Sequence, residues 1–217
     1  MRSATKTTGI LLSAALVSGA AATPALAAQG PNNNGRTPSA SCPQDGSGAN
    51  AKKNTRKKQR KNAKKNAAKL AAKKSGTLTA DQKADLKAMA EEEKLAHDVY
   101  VTLAASYPDV VQFTRIPNAE SRHLAAIQRM LTKYGLTDPT EGMGVGKFKT
   151  GETQELFNEL VASATTQQAA LDVGVTIETQ DIKDLKAAKV GLKAPDVRFV
   201  YNRLLQGSYN HLRAFGG

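Results

Sequence analysis

The stretch IPNAESRHLAAIQRMLTKYG, residues 116–135, decides the fold. Ile116, Glu120, His123, Ile127, Met130 and Tyr134 recur at alternating steps of four and three, the spacing of one face of an α-helix. Pro117 falls in the first turn, where no backbone N–H is needed, and Gly135 supplies a stop. The spacing predicts a helix over about 115–134. Its core-facing stripe is apolar except for a carboxylate and an imidazole three residues apart, which is the anomaly that leads to function.

The same period appears on both sides. Upstream, Leu86, Met89, Glu93, Ala96, Tyr100 and Leu103 predict a helix over about 79–105, opened by Thr79, Asp81 and Gln82 as a capping-type start. Downstream, residues 135–151 carry Pro139 and four glycines after Gly135 and read as a long connection, with a short helix near 153–163 inside the same crossover. A third long helix, about 166–188, aligns Leu171, Gly174, Glu178, Asp181, Leu185 and Ala188. Pro195 opens a fourth, about 195–214, with Val197, Val200, Leu204, Ser208, His211 and Phe215 in register. No stretch alternates with period two. The expected fold class is all-α, a four-helix bundle with a long, ferritin-like crossover between helix pairs.

Composition confines that fold to the C-terminal part. The chain has 217 residues and a formal charge of +12, but all five Tyr and five Phe lie between Tyr100 and Phe215. Residues 1–74 therefore cannot build a packed core. Residues 75–217 hold 16 basic and 18 acidic side chains, a net charge of −2, so the basic character belongs to an arm. Residues 1–27 read as a secretory signal, with Arg2 and Lys6 before an apolar run and Ala25-Leu26-Ala27 as the cleavage site. Residues 28–50 have linker composition. Residues 51–76 form a Lys-rich arm, disordered in expectation, and 77–215 the folded domain. With no membrane-spanning run after signal cleavage, the expected location is secreted or the cell envelope. The twelve Lys and Arg between Lys52 and Lys74 suit anionic cell-wall polymer, lipid or nucleic acid; a solvated tether is the plainer account of the same charges. A single Cys42 excludes an internal disulfide framework and a multi-thiolate zinc site.

The candidate site residues are the polar members of the seams: Glu93, Glu120, His123, Glu178, Asp181 and His211. A carboxylate inside a core is costly unless it joins a network or binds a cation. Glu120 and His123 form an E-x-x-H step and Glu178 and Asp181 repeat the spacing, so each pair can reach a shared ion. Imidazole with carboxylate suits iron, manganese or zinc, and the absence of soft thiolates argues against copper(I). His97 lies about 40° round the first helix from Glu93. It becomes the partner of Glu120 and His123 if the 107–114 loop does not run back along the helices far enough to level Glu93 with Glu120. A buried ion network is the competing account of the same residues.

The segments EEEKLAHDVY (91–100), NAESRHLAAI (118–127), IETQDIKDL (177–185) and GSYNHLRAF (207–215) resemble a bacterial and archaeal family of ferritin-like domains of unknown function, over about 77–215. The resemblance implies the bundle fold and, by analogy with distant superfamily members, a site for one or two iron or manganese ions. By position it assigns Glu93 as first carboxylate, Glu120 and His123 as the first E-x-x-H, Glu178 as the third-helix carboxylate and His211 as the final histidine. Ser208 stands where a second bridging glutamate is expected, and Asp181 is one turn along to compensate. The implied function is a secreted metal-binding domain that, if it turns over, is a ferroxidase- or peroxidase-type oxidoreductase. The alternative is a non-enzymatic envelope protein with a structural polar seam and a tethering arm. No nucleophile elbow or phosphate loop is present.

Overall fold

The computed structural model describes residues 61, 62, 64, 65, 68, 69 and 73–217. The signal reading of 1–27, the linker at 28–50, Cys42 and most of the tetrad repeat lie outside these residues. Lys61, Asn62, Lys64, Lys65 and Ala68 belong to a unit separate from the C-terminal one. They are helical and exposed; Ala and Lys both propagate helix well.

The C-terminal unit is helical, and no strand occurs among the described residues. Its elements are α1 (Ala80–Ser106), α2 (Val111–Arg115), α3 (Pro117–Lys133), α4 (Gly151–Ser163), α5 (Gln167–Ala188) and α6 (Pro195–Phe215). Thr79 caps α1 in a complete capping box with Gln82, satisfying two backbone donors that the first turn leaves open. Pro117 and Pro195 occupy first turns of α3 and α6, and Gly135 takes φ 63° after α3. No described helix is long and apolar enough to cross a membrane.

The core has two halves, and their membership gives the direction of each long helix. One half contains Leu86 and Met89 of α1, Ile127 and Met130 of α3, Leu185 of α5, and Val197, Tyr201 and Leu204 of α6. The other contains Val99, Tyr100 and Leu103 of α1, Ile116 just before α3, Val173 and Ile177 of α5, and Phe215 of α6. Passing from the first half to the second, α1 and α6 run forward while α3 and α5 run back. The paired helices α1 with α3 and α5 with α6 are thus antiparallel, and α1 also packs on α5 and α3 on α6. Since α3 and α5 point the same way, the 134–166 connection must traverse the length of the unit, and α4 is built into it against α1 and α5. Each long helix switches from one apolar half to the other through a polar segment, and these four segments lie at one level.

Two local devices set that level. Residues 107–116 do not run as an open loop: α2 folds the chain back, and Phe113 packs against Tyr100 and Phe215 at ring-centroid distances of 6.2 Å and 5.7 Å. The Gly-rich crossover is latched to α1. Buried Lys94 pairs with Asp98, donates to the Gly144 carbonyl at 2.8 Å and sits 4.6 Å over the Phe148 ring. Asp98 also accepts from the Gly146 N–H at 2.9 Å. Gly146 has φ 69°, a conformation that suits glycine and aims this N–H inward. Asp98→Ala leaves the Lys94 ammonium buried without its partner and is expected to cost roughly 2–3 kcal/mol. Thermal unfolding and limited proteolysis check this: a lower Tm with new cleavage near 142–148 is the expected pair of results.

Candidate metal centre

The polar segments bring Glu93 (α1), Glu120 and His123 (α3), Glu178 and Asp181 (α5) and Ser208 and His211 (α6) into one layer between the apolar halves. Glu93, Glu120 and Glu178 are each 2% exposed. His123 Nδ1 lies 2.9 Å from Glu120 Oε2 and 3.3 Å from Glu93 Oε2. His211 Nδ1 lies 2.6 Å from Glu120 Oε1 and 3.5 Å from Glu178 Oε1. The two imidazoles are stacked 5.5 Å apart, with Glu120 reaching both. One ligand-capable atom from each of Glu120, His123 and His211 falls within 4.8 Å of the others.

Despite these short separations, Glu93 Oε1, Glu120 Oε1, His123 Nδ1 and His211 Nδ1 are buried without a hydrogen-bond partner. They approach one another without the alignment a hydrogen bond requires. Buried polar atoms are seldom left so. Four such atoms on three helices, converging on one volume, form the arrangement expected of donors that share a cation. The residues present therefore fit a metal.

The α5 carboxylates occupy the far side. Glu178 Oε1 accepts from the Tyr100 hydroxyl at 2.8 Å. Asp181 accepts from Ser208 through Oδ2, and its buried Oδ1 has no partner. Ser208, in the position where a glutamate is expected by resemblance, therefore holds the neighbouring aspartate. His97 takes no part: its Nδ1 lies 2.8 Å from Asp98 Oδ1, and Glu93 is the α1 side chain that reaches His123.

One residue of the site gives only a faint signal in sequence. Gly207 lies on α6, one turn before His211, and a Cβ built on it would stand 2.5 Å from His123 Nε2. The His123 ring lies directly against the α6 backbone. A glycine inside a long helix costs about 1 kcal/mol relative to alanine; here that cost makes room for an imidazole.

Charge in the metal-free layer is balanced by protons. Burial alone would raise Glu120, but the two adjacent imidazoles bring it down to about 2. Burial would lower His211, and Glu120 and then Glu178 raise it to about 9; His123 is raised likewise, chiefly by Glu93 and Glu120. Burial pushes Glu178 up to about 7 and Asp181 up to about 6, and raises Glu93 well above the usual range. The sign follows by linkage. Between about pH 4.5 and 7 the folded state holds protons on Glu178 and Asp181 that the unfolded chain has lost, so stability falls as pH rises. Between about pH 6.5 and 9 it holds a proton on His211 that the unfolded chain has lost, with the same sign. Glu120 acts oppositely, its contribution being lost as pH falls toward about 2. The metal-free protein is expected to melt at least ~5 °C lower at pH 9 than at pH 5.5, measured after chelation. Bound metal would replace these protons, so metal affinity is expected to rise over the same window.

Residues 82–217 match the family described as an uncharacterized protein domain, DUF2202. Uncharacterized protein MJ0754 of Methanocaldococcus jannaschii is 39% identical over 136 residues, spanning 62% of this chain and 73% of the archaeal protein. The crystal structure of hypothetical protein MJ0754 from Methanococcus jannaschii DSM 2661 superposes with a TM-score of 0.63 at 37% identity, covering 65% of this chain and 81% of that one. With the family model matching more than half of the sequence, the chain belongs to the DUF2202 family.

Proposed function

We propose that the C-terminal unit is a ferritin-like four-helix bundle whose central layer binds one or two iron or manganese ions. The observation that carries this reading is the set of unpartnered, buried donor atoms on Glu93, Glu120, His123 and His211. Glu120, His123 and His211 would hold the first ion, with Glu93 and Glu178 completing or extending the set. A carboxylate-rich site with two imidazoles suits iron and manganese. The helix directions and the full-length crossover support the bundle topology.

The functional conclusion is oxidation chemistry of the ferroxidase or peroxide-consuming kind. A bound redox metal would supply the electron transfer; the chain's own contribution is to bind, orient and shield. Glu120 sets both imidazoles, Ser208 orients Asp181, and the apolar halves exclude bulk water. Tyr100 is fully buried, and its hydroxyl proton is held at Glu178 Oε1, within reach of the layer as a proton or electron donor. Tyr100→Phe is expected to keep metal stoichiometry while slowing Fe(II) oxidation by about 10-fold or more, read by anaerobic Fe(II) loading followed by exposure to oxygen or peroxide. Metal binding with no oxidation in either protein would leave a binding domain and sink the enzymatic reading.

The signal-like N-terminus places this domain outside the cytoplasm in our reading, with the basic arm as an electrostatic tether to anionic polymer or lipid. Retention on an anionic matrix that is unchanged by deleting 28–74 would remove the tether.

A further inference from the structure

The chain that enters the C-terminal unit is fastened to one end of it. The Gly76 N–H donates to the Tyr134 hydroxyl at 3.0 Å, and that hydroxyl donates to Asp196 Oδ1 at 2.7 Å. Lys133 pairs with Asp196 Oδ2 at 2.9 Å and donates to the Lys73 carbonyl at 3.2 Å. A Cβ built on Gly76 would stand 2.5 Å from the Ala194 Cα, so the chain lies directly against the entry to α6. Asp196 is 0% exposed, and its charge is spent on these contacts.

The fastening gathers cations from three segments. The Lys73 ammonium lies 6.0 Å from the Phe199 ring centroid. Beside Phe199, Arg198 Nη1 donates to the Leu192 carbonyl at 2.8 Å, which folds the guanidinium onto the α5–α6 turn. The Leu192 N–H closes that turn on the Lys189 carbonyl at 3.3 Å, with Lys193 following. Lys73, Lys193 and Arg198 are exposed, and Lys189 is half-buried. The wider charge distribution matches. The half of the unit at this end, residues 73–90, 124–138 and 182–205, has twelve Lys and Arg against five Asp and Glu. The other half, residues 91–123, 139–181 and 206–217, has six against thirteen. An extended anion therefore meets one attracting end and one repelling end.

The chemistry of this end narrows the partner. Val190 is its one exposed large apolar side chain, too little to insert into lipid. Residues 1–74 have no aromatic ring on which a base could stack. We propose that Lys73, Lys189, Lys193 and Arg198 form a docking face for a linear alcohol-phosphate polymer of the cell envelope. The proposal rests on the tether reading of the basic arm and deepens it. The arm supplies charge, and its fastened root delivers the polymer beside a folded face that takes the next phosphates. Two linked contacts of this kind bind more tightly than either alone.

The full-length chain is titrated with purified polyglycerol phosphate over a salt series, with helicity checked for every variant. Lys189→Gln/Lys193→Gln/Arg198→Gln should bind about 10-fold more weakly at low salt, with a salt slope shallower by roughly 2. Lys189→Glu/Lys193→Glu leaves the Arg198 bond to Leu192 in place and should weaken binding at least as much. Removing three charges from the opposite half, Arg115→Gln/Arg122→Gln/Arg213→Gln, should leave affinity within about 2-fold of the parent. Gly76→Ala keeps every charge but forces the root off Ala194, and should cost about 3-fold or more. A parent that binds while the face variants bind as tightly as it does, or lose no more than the opposite-half variant, overturns the docking face and leaves the tether. A parent that does not bind overturns both. Tighter binding to single-stranded DNA or to anionic vesicles at equal phosphate, with the same dependence on the face, overturns the partner assigned.

Discussion

Gly207→Ala is expected to lower metal affinity by ~10–100-fold and to destabilise the protein, although alanine is the better helix former. On an ordinary helix the change would gain about 1 kcal/mol. Here the new methyl meets the His123 ring, 2.5 Å from Nε2, and the contact is with a ring packed in the core layer, so something must move. If the ring moves, His123 Nδ1 leaves Glu93 and Glu120, and Glu120 loses one of the two imidazoles that hold it ionised. Overpacking of this kind costs about 1–3 kcal/mol, and displacing a group that orients a ligand costs about 10–100-fold in metal affinity. Both are read on one sample, by melting with and without metal and by titration. The double variant Gly207→Ala/His123→Ala removes the collision and should recover part of the lost stability but none of the affinity. A more stable Gly207→Ala protein with unchanged affinity would show that the ring does not rest on the α6 backbone.

The other large effect belongs to Glu120. It alone reaches both imidazoles, at 2.9 Å and 2.6 Å, and it is 2% exposed. Glu120→Ala leaves half-buried His123 and buried His211 facing Glu93 and Glu178 without the carboxylate between them. Removing one partner of a buried ionic group costs about 3–5 kcal/mol, or roughly 10 °C in Tm for a chain of this size. This loss is expected in chelated protein, before metal enters the comparison. The variant should also flatten the decline in stability between pH 6.5 and 9, because Glu120 is the first cause of the raised His211 pKa. Glu120→Gln keeps the shape and should fall between parent and alanine. An unchanged Tm for Glu120→Ala in chelated protein would mean that the layer is not electrostatically organised around this residue.

The long helices were legible because each carries an apolar stripe of correct period over five turns or more, with a cap, proline or glycine at one end. The observed limits of α1, α3, α5 and α6 lie within two residues of those expected. Glu93 was separable from its neighbours in the Glu91–Glu93 run by phase alone, between Met89 and Tyr100 on the stripe. Other features had no periodic signature. α2 is a single turn, too short to show one. The Lys94–Asp98 latch reads in sequence as an ordinary i,i+4 surface pair; only the crossover folding over it makes it buried. Ser208 and Gly207 look like weak helix residues until His123 and Asp181 are seen packed against them. His97, close in phase to Glu93, is drawn off the layer by Asp98, a competition between adjacent side chains that spacing does not reveal.

The central claim is that the layer of Glu93, Glu120, His123, Glu178 and His211 exists to hold metal and not only to balance its own charges. Elemental mass spectrometry on the full chain, purified without a histidine tag from cells supplied with iron and manganese, tests this most directly. Glu120→Ala/His123→Ala, checked for helicity by circular dichroism, is measured beside it. The account predicts about one or two equivalents of iron or manganese bound through the histidine layer in the parent, lost in the variant. Parent protein that carries no metal above background, folded and unchanged in Tm by added iron or manganese, would contradict it and leave the layer as a structural ion network.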